Sequence, residues 1–420
     1  AKSGQKALDR LADVATGAAN VAENEVTAYT LGTTRTLLTA AQLGNAMISA
    51  TTDVGFQVIT TKFNGLSWTR TFGRQLRLMA PDGGGMTRQR ALRSGLVADG
   101  YMHHASSMAR YTAELPMNEV ARRMADGVLK ASFLQPWTQA GKWAFGMEFM
   151  GAVADYVDQG RSFQKLPGGM QRAFQRYGID EARWEQLKRV GVHEDQGARM
   201  LRISDIYDDE LRGLYAAMIQ TEQEFATPSG LLRGKSLLTS GRPGTAGGEV
   251  VRSASMYRSF PVTLMMTHGM RMASMLAQRE TVGLGLAYVG SFFLLTTLGG
   301  AVATQMKEMA RGRDPMPMNT TEFWMRAMMQ GGGFGFFGDF LFSDLNRYGR
   351  SMGAEVAGPL VTFGGDLGSI GLDARDDLID PQEDGLRSLQ RSVDLARRYA
   401  PDTWYTQLPL QRALIDQLDV

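Results

Sequence analysis

The stretch Thr281–Met306, TVGLGLAYVGSFFLLTTLGGAVATQM, constrains this chain more than any other, because it carries no Asp, Glu, Lys or Arg over 26 residues. As a helix rising about 1.5 Å per residue it measures about 39 Å, enough to cross a hydrocarbon core about 30 Å thick. KEMARGRDPMPM follows at once, so the segment ends in a basic cluster and a proline stop, the punctuation of a membrane span or of a deeply buried helix. Leu284, Leu286, Phe292, Phe293, Leu294, Leu295 and Leu298 are the expected membrane or packing residues. Lys307, Arg311 and Arg313 are the expected contacts to lipid headgroups or to a neighbouring subunit. Gly283, Gly285, Gly290, Gly299 and Gly300 weaken the segment as a lone span and suit close helix packing.

The rest of the composition excludes more than it assigns. With 44% hydrophobic and 21% charged residues the chain is an ordinary folded one, long enough at 420 residues for two or more domains. A formal net charge of +2 gives no global field that would make nucleic acid the default partner. The absence of cysteine rules out disulfides, thiolate catalysis and cysteine-ligated metal. Gly 49 and Met 26 are both high, and methionine is a flexible filler that lets one surface repack against several partners. The chain opens at Ala1 with neither an initiator Met nor a signal-peptide pattern, as expected of a processed product or a piece of a larger polypeptide.

Apolar residues recur at three and four residue intervals through most of the chain, which predicts an all-α, elongated multi-helix protein with glycine-broken helices and one long apolar helix. Four segments are expected: an N-terminal helical region with a basic stripe (1–159), a small soluble helical subdomain (160–227), a glycine- and serine-rich connector (228–256) and an apolar C-terminal helical region (257–420). In the first, small residues recur from Gly32 to Gly55, but Arg35, Asp53 and Lys62 favour packed amphipathic helices over a span. Pro116 and Pro136 are expected to cut the helices between Thr87 and Asp158. Glycines from Gly331 to Gly365 forbid a simple long helix there, and a last helix is expected over Glu383–Tyr399.

Residues that could carry chemistry are few. Arg70, Arg74 and Arg77 fall at i, i+4 and i+7 on one helix face, and with Arg88, Arg90 and Arg93 they are the candidates for phosphate or DNA contact, as against a solvated face. His103 and His104 are adjacent, hence about 100° apart on a helix and poorly placed to share a metal. Asp205, Asp208, Asp209 and Glu210 lack the spacing and turn glycine of a calcium loop and read as the cap and first turn of a helix. GRPGTAGG at 241–248 lacks a closing lysine with Ser or Thr and a preceding strand, so it reads as a mobile loop or strap, not a phosphate loop. No catalytic, cofactor or metal residues are assigned.

Four motifs in order carry a resemblance: YRSFPVTLMMTHGMR at 257–271, MKEMARGRDPMPM at 306–318, GGGFGFFGDFLFSDLNRYGRS at 331–351 with AGP at 357–359, and YAPDTWYTQLPLQRALIDQL at 399–418. Over about the last two fifths of its length the chain resembles the carboxy-terminal part of large internal virion proteins of short-tailed bacteriophages, the core and DNA-ejection proteins. The resemblance implies a structural protein stored in the capsid core. It would form a homo-oligomer with other internal virion proteins and the portal, touch genomic DNA, and pass into the host periplasm and inner membrane as part of a genome-delivery conduit. The alternative it leaves open is a domain, enzymatic or not, of a giant virion-packaged polypeptide such as a virion RNA polymerase or a peptidoglycan-cleaving protein. A third reading, an ordinary bacterial integral membrane protein, requires more clear spans than the one present.

Overall fold

The computed structural model describes residues 2–16, 18–42, 46–80, 118–195, 198–230, 241–256, 258–310, 313–331, 359–379 and 387–399, with 234, 236 and 238. The fold is all-α. In chain order the helices are α1 Lys2–Thr16, α2 Glu25–Gln42, α3 Ala46–Ala50, α4 Asp53–Phe63, α5 Trp68–Met79, α6 Glu119–Ala131, α7 Leu134–Asp158, α8 Gly168–Arg176 and α9 Glu181–Val190. They continue with α10 Asp209–Ala226, α11 Ala246–Ala254, α12 Ser259–Leu264, α13 Met270–Leu276, α14 Val282–Ala310, α15 Thr321–Gln330, α16 Pro359–Ile379 and α17 Arg387–Tyr399. A single turn of π-helix, Met265–Gly269, joins α12 to α13. The strands His193–Asp195 and Ala198–Met200 form a short antiparallel pair.

The central element is α7, buried on every residue from Ala144 to Ala154. The cut expected at Pro136 falls just before it, between Ala131 and Leu134. Pro136 sits in the first turn, where the backbone N–H groups have no intrahelical acceptor and proline costs nothing, and Phe133 at φ 65° starts the helix from a left-handed turn. Around α7 close α5, α6, α9, α10 and the strand pair. One apolar cluster runs from Phe145, Phe149 and Val153 through Met170, Phe174, Trp184 and Leu187 to Tyr215, Met218 and Ile219. The segment expected as a separate subdomain from residue 160 therefore shares its core with the helix before it.

Local sequence rules set the helix ends. Asp180 caps α9 by accepting from the Arg183 N–H at 2.9 Å. Asp208 caps α10 through Leu211 N at 2.9 Å, while Asp205 pairs with Arg202, so the acidic run is a helix start. The connector expected as a mobile loop or a strap contains α11, capped by Thr245 through Gly248 N at 3.0 Å. It is fastened by a buried pair, Arg35 Nη1 to Glu249 Oε2 at 2.5 Å. Several threonines inside helices satisfy their hydroxyls by donating to the carbonyl four residues back, as Thr36 and Thr39 do in α2 and Thr296 and Thr304 in α14.

Residues 332–358 and 400–420, with most of the glycine-rich and terminal motifs, lie outside the described residues, as do 380–386 at the expected start of the last helix. Where the glycine-rich region is described, the expectation of a break is corrected. α16 runs through Gly364, Gly365, Gly368 and Gly371. It is steadied on α17 by Phe363 against Tyr399, rings 4.8 Å apart, and by Arg391 with Asp373 at 2.7 Å. Packing of one helix on the other outweighs the entropic cost of glycine, roughly 1 kcal/mol each.

Candidate functional site: an outward apolar face above a buried polar junction

The 29 residues of α14 bury a single narrow face. Gly285, Tyr288, Phe292, Thr296, Gly300, Ala303 and Thr304 turn inward onto α3, α4, α13 and α15, and a third of the most apolar window is buried, 33%. The approach to α4 is close: a Cβ on Gly55 would lie 3.2 Å from the Leu295 backbone, and one on Gly299 would lie 3.0 Å from the Thr52 Cα. Gly300 packs so tightly on α15 that an added Cβ would overlap the Ala327 carbonyl oxygen.

The opposite face is apolar and open to solvent. Leu286 is 62% exposed, Leu294 61%, Val302 52% and Leu298 45%, and Val282 and Phe293 join them. Of the residues expected to mediate membrane contact or packing, Leu286, Phe293, Leu294 and Leu298 are thus outward, Phe292 is fully buried, and Leu284 and Leu295 are half-buried at the edges. Among the described residues α14 is the one helix long and apolar enough to cross a membrane by length and composition. A monomer seldom leaves a contiguous apolar stripe of this length uncovered. Of the flanking cations, Lys307 Nζ donates to Gln330 Oε1 at 2.6 Å, Arg313 is exposed beside Glu308, and Arg311 lies outside the described residues.

Beneath the inner face lies a cluster of charged groups. Glu222 of α10 is fully buried and accepts from Arg271 Nη2 at 2.5 Å, Arg176 Nη1 at 2.9 Å, Asn64 Nδ2 at 2.8 Å and the Tyr177 hydroxyl at 3.1 Å. Burial pushes its carboxyl up, but Arg271 and Arg176 outweigh burial and hold it below the ordinary carboxylate range. Burial likewise disfavours the Arg271 cation, and Glu222 more than restores it. The Arg271 guanidinium lies 3.4 Å from the Phe225 ring centre and 4.6 Å from that of Phe63, which also meets Arg176.

His268, from the π turn, completes the junction. Its ring is boxed by Phe56, Phe225, Phe292 and Tyr288 at centroid distances of 5.3–6.0 Å. Nε2 lies 2.9 Å from the Phe225 carbonyl, which can only accept, so Nε2 carries the proton; Nδ1, 2.7 Å away, accepts from the Tyr288 hydroxyl. That neutral tautomer is fully satisfied. Burial first, then the Arg271 cation, depresses the imidazole to about 3.

The basic stripe on α5 is real but partly occupied. Arg70 Nε lies 2.9 Å from Glu148 Oε1, Arg74 Nε donates to Oε2 at 3.2 Å, and Arg77 is exposed. Glu148 is buried in α7, and burial raises its carboxyl despite both arginines. The first two arginines therefore lean on a core carboxylate while remaining accessible, at 58% and 34% exposure. Arg88, Arg90 and Arg93 lie outside the described residues, as do His103 and His104.

In the sequence His268 and Arg271 figured only within the motif at 257–271, and Glu222 did not figure at all. A usable signal was present. Arg271 has no acid three or four residues away on its own helix, so a buried partner had to come from another element. Among the described residues no group of three or more His, Asp or Glu is placed to hold a metal ion. The cleft between α5 and α7, lined by Leu78, Lys130, Gln135, Pro136, Gln139, Ala140 and Trp143, holds one cation and no carboxylate, histidine or hydroxyl nucleophile. The chain matches no protein-family model, no curated protein and no solved structure.

Proposed function

We propose that this chain is an internal virion protein of a short-tailed bacteriophage, acting by assembly and not by catalysis. In this reading it is stored in the capsid core as a homo-oligomer beside other internal proteins and the portal, and on infection becomes part of the conduit for the genome through the host periplasm and inner membrane. The observation that carries the reading is the outward face of α14, long enough to span lipid and free of charge from Thr281 to Met306. The four ordered motifs of the C-terminal two fifths support the family assignment.

Physical chemistry supports lipid contact at the end of this path. Inside hydrocarbon every polar group must find a partner within the protein, and Thr296 and Thr304 already spend their hydroxyls on their own helix. Lys307 and Arg313 stand at the C-terminal end, where cations meet phosphate headgroups. The arginines of α5 are the proposed genome contact. Flotation of the full chain with vesicles of phosphatidylcholine and phosphatidylglycerol tests the membrane part, with co-flotation expected for the native sequence and loss in Leu286→Glu with Leu294→Glu. Native protein that never floats under any condition contradicts it.

A further inference from the structure

We infer that α12 to α15, residues 259–310 and 313–331, form a detachable unit, and that the Glu222–Arg271 and His268–Phe225 ties are the latch that keeps the inner face of α14 docked on the body of the protein. The inference rests on the proposed membrane contact and adds how that contact is regulated.

The latch follows from what lies at the seam. The unit consists of α12, the π turn, α13, α14 and α15, and it meets the body through the apolar contacts of Leu264, Met272, Met275, Tyr288 and Phe292 with Phe56, Ile59 and Phe63. Polar ties cross the same seam: Arg271 to Glu222, His268 to the Phe225 carbonyl and Gln330 to Ser49 Oγ at 3.2 Å. An ion pair buried this deeply adds little net stability while whole, because desolvation cancels most of the attraction. Broken from one side it leaves Glu222 or Arg271 charged and dry, which is strongly unfavourable. A seam built this way has two settings, closed with every charge paired or open with every charge in water. The network is also incompletely satisfied even when closed, since Arg271 Nη1 and Asn64 Oδ1 are buried without a hydrogen-bond partner. A π turn at the latch places His268 and Arg271 together toward α10, and such turns recur where helices serve function over regularity.

Acid is the natural key. The ionisable groups facing the latch are Glu222 of α10, Arg176 and Tyr177 after α8, Arg172 of α8 across the Phe63 ring, Arg271 of α13 and Tyr288 of α14. Opening lets His268 take up a proton below pH 6.5 that the closed seam refuses down to about 3. Glu222, held low when closed, takes up its proton on opening as pH falls through the ordinary carboxylate range. Both terms favour opening as pH falls, and neither acts above pH 6.5.

The chain has no cysteine, so one engineered pair can clamp the seam. A Cβ on Gly55 would lie 3.4 Å from the Leu295 Cβ, close to the spacing a disulfide needs. In the full chain carrying Gly55→Cys and Leu295→Cys, flotation with the same vesicles at pH 4.5 is expected to drop at least tenfold on oxidation and to recover on reduction. Glu222→Gln is expected to float at pH 7.5 as the native protein does at pH 4.5. Equal flotation of oxidised and reduced forms overturns the latch while leaving the membrane reading intact. Hydrogen exchange without lipid separates the two failures: amides of α14 must lose protection between pH 6.5 and 4.5 while those of α7 keep theirs, and joint or unchanged protection overturns the latch whether or not anything floats.

Discussion

Among the described residues the two longest helices solve opposite problems. α7 carries Lys142 and Glu148 yet is buried along most of its length, whereas α14 carries no charge from Val282 to Met306 and turns an apolar face to solvent. Buried charge is tolerated in α7 because each group has a partner: Lys142 meets Glu224 and Ser229, the latter at 2.7 Å, and Glu148 meets Arg70 and Arg74. Among the described residues, the outward face of α14 is left exposed at Leu286, Leu294, Leu298 and Val302. Buried, paired charge thus marks the centre of the described fold, and the exposed apolar face of α14 is the surface on which the proposed lipid contact rests.

The largest expected effect is on pH dependence. Stability measured by urea denaturation should be flat above pH 6.5 and fall as pH drops toward 3, because the open or unfolded chain binds a proton at His268 that the closed seam excludes. At about 1.36 kcal/mol per unit, a shift from 6.5 to about 3 sets a ceiling of roughly 5 kcal/mol. His268→Gln should flatten much of that slope, and an unchanged slope would place the proton uptake elsewhere. Next, Phe149→Ala in α7 should cost about 3–5 kcal/mol, the usual range for emptying a sealed aromatic site. A loss below about 1 kcal/mol would dislodge α7 from the centre of the account.

Gly300→Ala sharpens the comparison on the inner side of α14. The added methyl meets the Ala327 carbonyl, so α14 and α15 must part, at a cost of about 1–3 kcal/mol by thermal melting. Gly290→Ala, on the open side with nothing within 4 Å, should be neutral or slightly stabilising through helix propensity. The smallest effect is expected at Leu294→Ser, within about 0.5 kcal/mol of native stability, because the side chain is already in water. A loss as large as that of Phe149→Ala would show that the outer face is covered within the folded chain.

Fold class was legible in the sequence because three and four residue periodicity is clear in helices such as α5, α6, α8 and α17, whereas α7 and α14 carry apolar residues on all sides and show almost none. The cap at Asp208 was legible too, since a single side chain and the N–H groups of the next turn decide it. The long helix α14 was visible, but which of its faces would be buried was not. That depends on where Gly55 and Ala327 come to lie, and neither is near in sequence. The break expected at Pro136 lies just before it, between Ala131 and Leu134, and the helix within the loop or strap near residue 246 was hidden because Arg35, over two hundred residues away, supplies the partner of Glu249. The junction at Glu222 was hidden for the same reason: its ligands come from α4, α8 and α13, and only the fold brings Asn64, Arg176 and Arg271 together.

The central claim is that the charge-free outer face of α14 is a lipid-contacting surface. It is tested most directly by one environment-sensitive fluorophore on a single introduced cysteine at Leu294→Cys, read with and without anionic vesicles at pH 4.5, with Tyr207→Cys, exposed on the body of the protein, as the control. The account predicts a blue shift and quenching by a bilayer-depth quencher at position 294 only. Emission at 294 that stays at its aqueous wavelength when vesicles are added would contradict it.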